Sequence, residues 1–228
     1  MPSVIRLDRY RQVAPQLYEV LRERIVSLQL VPGAPIHRSD IAAEFGVSQT
    51  PVREALLRLQ QEALVDVFPQ SATAVSRIDL ARAEQAHFLR RAVELEIVRQ
   101  LAQQPDPLLV AKLQEQVDRL EQARAAGDWK AFTQADQAFH EAMYRAAGQE
   151  ELHHLVRCRS GHIERLRRLH VPSPGKARKV VADHRAILAA IAAGAPEQAQ
   201  ARLREHLSGT LAHVGEIRAA HPDYFSPA

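Results

Sequence analysis

The chain has 228 residues, 46% of them hydrophobic, and a formal net charge of +3 at pH 7. Its single cysteine, Cys158, excludes an internal disulfide framework and is typical of a reducing compartment. No run of 18 apolar residues occurs, and the first residues lack the apolar core of a signal peptide, so we expect a cytoplasmic protein with no membrane partner. Residues 1–77 carry 9 basic against 8 acidic side chains, so a role in DNA binding has to be argued from a motif.

The first third of the chain predicts three helices and a β-hairpin. Apolar residues recur at helical spacing across residues 12–30, which predicts the first helix. Ser39 is suited to cap a short second helix, Gly46 to turn the chain, and Ser48 to cap a third helix. Valines on both sides of the sequence PQSA then predict a hairpin within residues 65–75. Two short helices joined by a glycine turn and followed by a hairpin form a winged helix-turn-helix.

In such a motif the second of the two short helices presents its first residues to base edges in the major groove. Gln49, Thr50 and Arg53 lie opposite the apolar face of that helix. Glutamine is suited to an adenine edge and arginine to guanine or phosphate, while the hydroxyls of Ser48 and Thr50 are suited to phosphate. An ordinary helical hairpin with polar outer residues gives the same pattern, so the pattern alone leaves both interpretations open.

The rest of the chain has helical patterning throughout. Its breaks divide it into about six helices and fall near residues 103–107, 125–129, 146–150, 171–175 and 192–196. The final sequence HPDYFSPA is expected to be a tail. The arginines from Arg157 to Arg168 are expected on the solvated face of one helix, with a basic patch as the alternative.

These elements predict a mainly α protein with two domains. Residues 1–77 form the winged helix-turn-helix with its small β-hairpin wing, and residues 78–228 form an all-α helical bundle.

The sequence ADQAFHEAMY places Asp136 and His140 four residues apart, on one face of a helix that also carries apolar side chains. His184 and His206 share the inward faces of two later helices. A buried carboxylate is costly unless it is paired or bound to a metal ion. A carboxylate among neutral imidazoles suits a divalent transition ion, with zinc, nickel or iron as candidates. Hydrogen-bonded core histidines would give the same pattern and remain the alternative.

The segment PGAPIHRSDIAAEFGVSQTPVREALLRLQQEALV resembles the DNA-binding domain of GntR-family transcription regulators through GVS, TPVREAL and RL. The helical remainder resembles the FCD ligand-binding domain of the FadR-like subgroup. The resemblance implies DNA binding by Arg38, Ser48, Gln49, Thr50, Arg53 and Arg58. Gln49 stands where members commonly have arginine, Ala63 stands where they have glycine, and PQSATAV lacks the usual glycine of the wing tip. Because of these departures, the resemblance implies DNA binding but not a particular operator sequence.

The resemblance to FCD domains also implies a ligand set and an effector site. Many FCD domains bind a metal through an Asp-x-x-x-His pair and two later histidines, and the matching positions are Asp136, His140, His184 and His206. Zinc is the ion we expect first. Arg90 matches an arginine near the ligand cavity and is suited to fork a carboxylate, while a surface pair with Glu94 is the alternative. His162 is a second effector candidate, with core packing as its alternative.

Two functions from different classes are compatible with these features. The first is a homodimeric transcription repressor that binds double-stranded DNA at a palindromic operator and responds to a small organic acid. The second is a metal-dependent enzyme fused to a DNA-binding head, with metal-bound water as the nucleophile. The sequence shows no clearly placed general base, which favours the regulator.

Overall fold

The computed structural model describes residues 7–8, 10–67, 73–173 and 175–227. The chain divides into two units, one formed by Met1–Leu80 with His221–Ala228 and the other by Ala81–Ala220. The fold is mainly helical, with one small antiparallel sheet in the first unit, as the sequence predicts. Among the described helices, none combines the length and the apolar character needed to cross a bilayer.

The first unit is a winged helix-turn-helix with one strand more than the predicted hairpin. Its elements are α1 (Val13–Val26), β1 (Pro35–Ile36), α2 (Arg38–Phe45), α3 (Gln49–Gln61), β2 (Val65–Val67) and β3 (Thr73–Val75). The sheet has the order β1-β3-β2, with Ile36 opposite Thr73 and Asp66 opposite Ala74. The PQSA turn predicted for the wing lies outside the described residues.

Helix α3 packs on α1 through Val52, Leu56 and Leu59, which are buried in the core of the first unit. Gly46 ends α2 in the left-handed region, at φ 63°, where a residue without a Cβ is favoured. Ser48 occupies the cap position of α3 as predicted, but its side chain makes no capping hydrogen bond. The predicted cap at Ser39 is wrong, because α2 already begins at Arg38 and Ser39 lies in its first turn.

The second unit is a bundle of longer helices. They are α4 (Leu80–Gln103), α5 (Pro107–Ala126), α6 (Trp129–Ala146), α7 (Glu150–Arg159), α8 (Gly161–His170), α9 (Lys176–Ala192), α10 (Pro196–Ser208) and α11 (Val214–Ala220). Single 3-10 turns lie at Leu211–His213 and Pro222–Tyr224. Helix α5 packs against α6 and α9, and α9 against α10, around an apolar core that includes Phe139 and Ile187.

The prediction of about six helices is wrong because the segment 150–170 is two helices rather than one. Ser160 separates α7 from α8, and its hydroxyl donates to the Val156 carbonyl at 2.7 Å. Such bonds compete with the regular backbone pattern and bend helices. A further short helix, α11, follows α10.

The expectation of a solvated face is wrong for the arginines of α8, whereas Arg159 at the end of α7 is exposed. Arg165 is fully buried, Arg167 pairs with Asp136, and Arg168 donates to the Trp129 carbonyl at 2.8 Å. Ser160 interrupts the helix, so the phase inferred from α7 does not continue into α8.

The C-terminal segment is ordered against the first unit rather than a free tail. The Ile78 amide donates to the Tyr224 carbonyl at 2.7 Å, and the Ser226 amide donates to the Ile78 carbonyl at 3.0 Å. Phe225 lies parallel to Ile78 in an isolated β-bridge and is buried. The tail prediction failed because one buried aromatic and two backbone bonds fix a segment that has no periodic pattern.

Candidate functional site

Four buried side chains that can ligate a metal ion meet at one point in the second unit. Helix α6 supplies Asp136 and His140, α9 supplies His184 and α10 supplies His206. One ligand atom of each residue lies within 4.8 Å of the ligand atoms of the other three. The structure therefore brings together the four residues that the sequence singled out.

Local sequence sets the position of the helix that carries two of the four ligands. Gly127 ends α5 in the left-handed region, at φ 66°, and Asp128 accepts a bond from the Ala131 amide at 2.9 Å. This side-chain cap starts α6 at Trp129. Two turns later Asp136 and His140 fall on the buried face of α6, which also carries Phe139 and Met143.

One ring nitrogen of His184 is free to bind an ion. Its Nδ1 lies 2.8 Å from the Val180 carbonyl oxygen, which can only accept, so Nδ1 carries the hydrogen and Nε2 has a lone pair. Nε2 lies 3.5 Å from Asp136 Oδ1, and neither atom has a hydrogen-bond partner within the described residues. Two buried acceptors that face each other need a shared proton or cation.

Two further ring nitrogens in the cluster also face each other. His140 Nε2 and His206 Nε2 lie 3.3 Å apart. His140 Nδ1 faces Glu94 Oε2 at 2.9 Å, and His206 Nδ1 faces Asp183 Oδ2 at 3.7 Å. Neither Nδ1 has a hydrogen-bond partner among the described residues, and a facing carboxylate can only accept. A hydrogen on each Nδ1 is therefore favoured, and the two Nε2 lone pairs then point at each other. The donor set therefore fits a divalent transition ion.

The electrostatics of the cluster favour the ligating forms of these groups. Burial opposes the charge of Asp136, yet the Arg167 guanidinium and the nearby imidazoles hold the pKa of this carboxyl well below its usual range. Burial lowers the pKa of His140 to about 4, and burial beside His206 lowers the pKa of His184 well below its usual value. At neutral pH the site therefore holds an ionised Asp136 carboxylate and neutral His140 and His184 rings, which are the forms that bind metals.

A cavity of about 310 Å³ opens beside the cluster. It is lined almost entirely by polar side chains: Arg90, Glu94, Asp136, Gln137, His140, Glu141, His153, Val156, Arg157, Ser160, Glu164 and Arg167. Arg90 Nε lies 2.6 Å from Glu94 Oε1, so the predicted effector residue both lines the cavity and pairs with Glu94. Two metal-ligand candidates, Asp136 and His140, form part of the same wall.

His162, the second effector candidate, is buried on α8, where its Nδ1 lies 3.0 Å from Arg165 Nη2. Among the described residues that line the cavity, His162 does not appear.

Sequence reasoning missed Arg167, which forms an ion pair with Asp136, and the carboxylates of Glu94 and Asp183 behind the histidines. Of these three residues, Glu94 had a local signal in the sequence, because it follows Arg90 by one helical turn.

The residues proposed for DNA binding lie at the start of α2 and along α3. Arg38, Ser48, Gln49, Thr50 and Arg53 are all exposed. Arg58 is half-buried, with its guanidinium carbon 3.9 Å from the centre of the Tyr18 ring. A cation over an aromatic face stabilises the contact between α1 and α3, so Arg58 also has a packing role.

Comparisons with known proteins agree with both halves of this description. Residues 13–75 match the family described as bacterial regulatory proteins, gntR family, and residues 70–209 match the FCD domain. An uncharacterised HTH-type transcriptional regulator in an unstable DNA locus of Streptomyces ambofaciens is 38% identical over 92% of this chain and 88% of its own.

Two further comparisons cover nearly the whole chain. The HTH-type transcriptional repressor RspR of Escherichia coli is 25% identical over 97% of each chain. The solved structure of McbR from Escherichia coli has a TM-score of 0.79 at 24% identity and covers 90% of this chain and 98% of its own, which shows the fold. The families and relatives matched are transcription regulators and not enzymes.

Proposed function

This chain belongs to the GntR family of bacterial regulatory proteins and carries an FCD domain, and from that premise we propose that it is a metal-dependent, effector-responsive repressor. DNA binding is assigned to residues 1–77, and sensing to residues 78–228. The sensing domain holds a divalent ion together with a small carboxylate.

The cluster of four buried ligands carries this proposal. Asp136, His140, His184 and His206 would hold the ion, which supplies Lewis acidity and two positive charges to the wall of the cavity. Zinc suits a set of three imidazoles and one carboxylate, and nickel and iron suit it as well. The facing lone pairs at 3.3 Å and the unpartnered His184 Nε2 support an ion over a hydrogen-bonded cluster of core histidines.

The adjoining cavity supports a small, polar, anionic effector. Val156 is the single apolar side chain among the residues described in its lining, which disfavours a fatty or aromatic ligand. Arg90 keeps further guanidinium donors beyond the Nε that bonds Glu94, and these suit a carboxylate. A cavity of about 310 Å³ restricts the effector to a small molecule.

The exposed row of Gln49, Thr50 and Arg53 on α3 supports recognition of a duplex in the major groove. Arg38 and Ser48 are exposed at the starts of α2 and α3, where phosphate contacts are expected. A homodimer would place two such heads on the half-sites of a palindrome. The repressor role is supported by the resemblance to RspR, which is named as a repressor.

The test begins with the full chain and a random library of duplexes, from which the tightest sequence is selected. Elemental analysis of the protein, as purified and after loading, should find a stoichiometric divalent ion. The affinity for the selected duplex should then change when the loaded protein is screened against small carboxylic acids. Absence of metal under every loading condition would remove the metal from the proposal, and failure to select any duplex would remove DNA binding.

One substitution tests metal and effector binding separately from DNA binding. Asp136→Ala should lose the metal and the response to the acid, while the head keeps its affinity for the selected duplex. Equal loss of DNA binding and metal binding in this variant would instead indicate a folding defect, which circular dichroism would detect.

A further inference from the structure

Glu94 is a buried carboxylate that contacts both Arg90 and His140. It lies on α4, is 1% exposed, and forms no part of the four-ligand cluster. Its Oε1 accepts from Arg90 Nε at 2.6 Å, and its Oε2 lies 2.9 Å from His140 Nδ1. One side chain thus holds both the candidate effector residue and a candidate metal ligand.

The position of the Glu94 carboxylate determines the tautomer of His140. Arg90 Nε donates to Oε1, so Oε2 is the oxygen left to face His140. Glu94 Oε2 and His140 Nδ1 lie 2.9 Å apart, and neither atom has a hydrogen-bond partner among the described residues, so a hydrogen on Nδ1 is the arrangement that satisfies both. The lone pair is therefore on Nε2, which points at His206 and the centre of the cluster.

We propose that Glu94 is a positioning residue for the metal centre, which fixes His140 in its metal-binding tautomer and connects that ligand to Arg90. The inference rests on the proposed metal site and adds a residue that the four-ligand pattern does not contain. Carboxylates that accept a hydrogen bond from the outer nitrogen of a metal-binding histidine orient that ring and increase its basicity. Because the same carboxylate holds Arg90, a movement of Arg90 when an anion binds is transmitted to His140 through one side chain.

The substitution Glu94→Gln tests this arrangement with little change of shape. An amide has one oxygen, and the charged Arg90 competes for it more strongly than a neutral imidazole does. The amide NH₂ then faces His140 Nδ1 and favours a hydrogen on Nε2, which blocks the metal-binding position. Glu96→Gln is the matched control, because Glu96 lies on the same helix, is exposed, and pairs with Arg99.

The experiment measures zinc affinity and the histidine tautomers of the full-length, metal-free protein. Glu94→Gln should weaken zinc binding about 10–100-fold, which is the usual effect of removing a group that holds a metal-binding histidine in place. Imidazole nitrogen chemical shifts should move His140 from the Nδ1–H to the Nε2–H form, a change that a general packing defect would not produce. Glu96→Gln should match the wild type in both measurements.

A second variant covers the case in which Glu94→Gln fails to fold. Glu94→Asp keeps the negative charge beside Arg90 but withdraws the oxygen from His140 by one methylene length. It should also weaken zinc binding, since proximity to Nδ1 and not charge alone is required. Wild-type zinc affinity and an unchanged His140 tautomer in the folded variants would overturn the inference and leave the metal site intact. A wild-type protein that binds no zinc would instead overturn the proposed function on which the inference rests.

Discussion

Metal binding at the four-ligand cluster should stabilise the helical unit, and Asp136→Ala should abolish that effect. The ligands come from α6, α9 and α10, so the unit cannot unfold without releasing the ion. Zinc at 100 times its dissociation constant then adds about 2.7 kcal/mol to the free energy of unfolding. At roughly 2–4 °C per kcal/mol for a chain of this size, the melting temperature should rise by about 5–11 °C.

The assay is thermal unfolding of the stripped protein by circular dichroism at increasing zinc concentrations. Asp118→Ala is the control, because Asp118 is an exposed carboxylate on α5 that accepts from Gln114 and lies outside the cluster. It should show the full zinc-dependent shift. Two results would refute the reasoning. A wild-type melting temperature that is independent of zinc would mean that the folded unit does not bind it, and an equal shift in Asp136→Ala would place the ion elsewhere.

Three further predictions concern the head, its turn and the pH dependence of stability. Arg53→Ala should weaken binding of the selected duplex by about 1–3 kcal/mol in a gel shift, and intact affinity would remove α3 from recognition. Ala63 has φ 56°, in the left-handed region, so Ala63→Gly should raise the free energy of unfolding in urea by up to about 1 kcal/mol; a loss of stability would contradict this. Burial, with Lys176 and His213 nearby, lowers the pKa of His170 to about 4. Above that pH the ring stays neutral in the folded protein, whereas in the unfolded chain it becomes protonated at about pH 6.5. Stability should therefore fall as the pH drops from about 6.5 to 4, and His170→Asn should fall less over that window in urea titrations; an equal fall would exclude His170 as a cause.

The ligands predicted from sequence were those whose relation is local or carried by the family resemblance. Asp136 and His140 are one turn apart, so helical spacing alone puts them on one face. Glu94 and Arg167 belong to the same centre, but they reach it through the packing of α4 and α8. No spacing along the chain encodes such a contact, and the arginine was accordingly assigned to a solvated face.

The fold shows the same division between local and tertiary information. Helices with long periodic patterns were predictable, because 3.6-residue spacing accumulates over many turns. Strand β1 is two residues long and pairs with β3, so it carries no period of its own. The break at Ser160, whose hydroxyl bonds the Val156 carbonyl, is followed directly by Gly161, a local signal that the sequence analysis did not use.

The charges around the cavity give a physical reason for metal and effector to bind together. Without an ion, each buried carboxylate has one guanidinium: Glu94 pairs with Arg90, and Asp136 pairs with Arg167. These four charges cancel, so a divalent ion brings two positive charges that the paired side chains do not neutralise. A buried excess charge is unfavourable unless a counter-charge accompanies it. Small carboxylates should therefore bind the zinc-loaded protein far more tightly than the stripped protein in calorimetric titrations. Equal affinity for both forms would mean that Arg90 and its neighbours hold the acid without help from the metal.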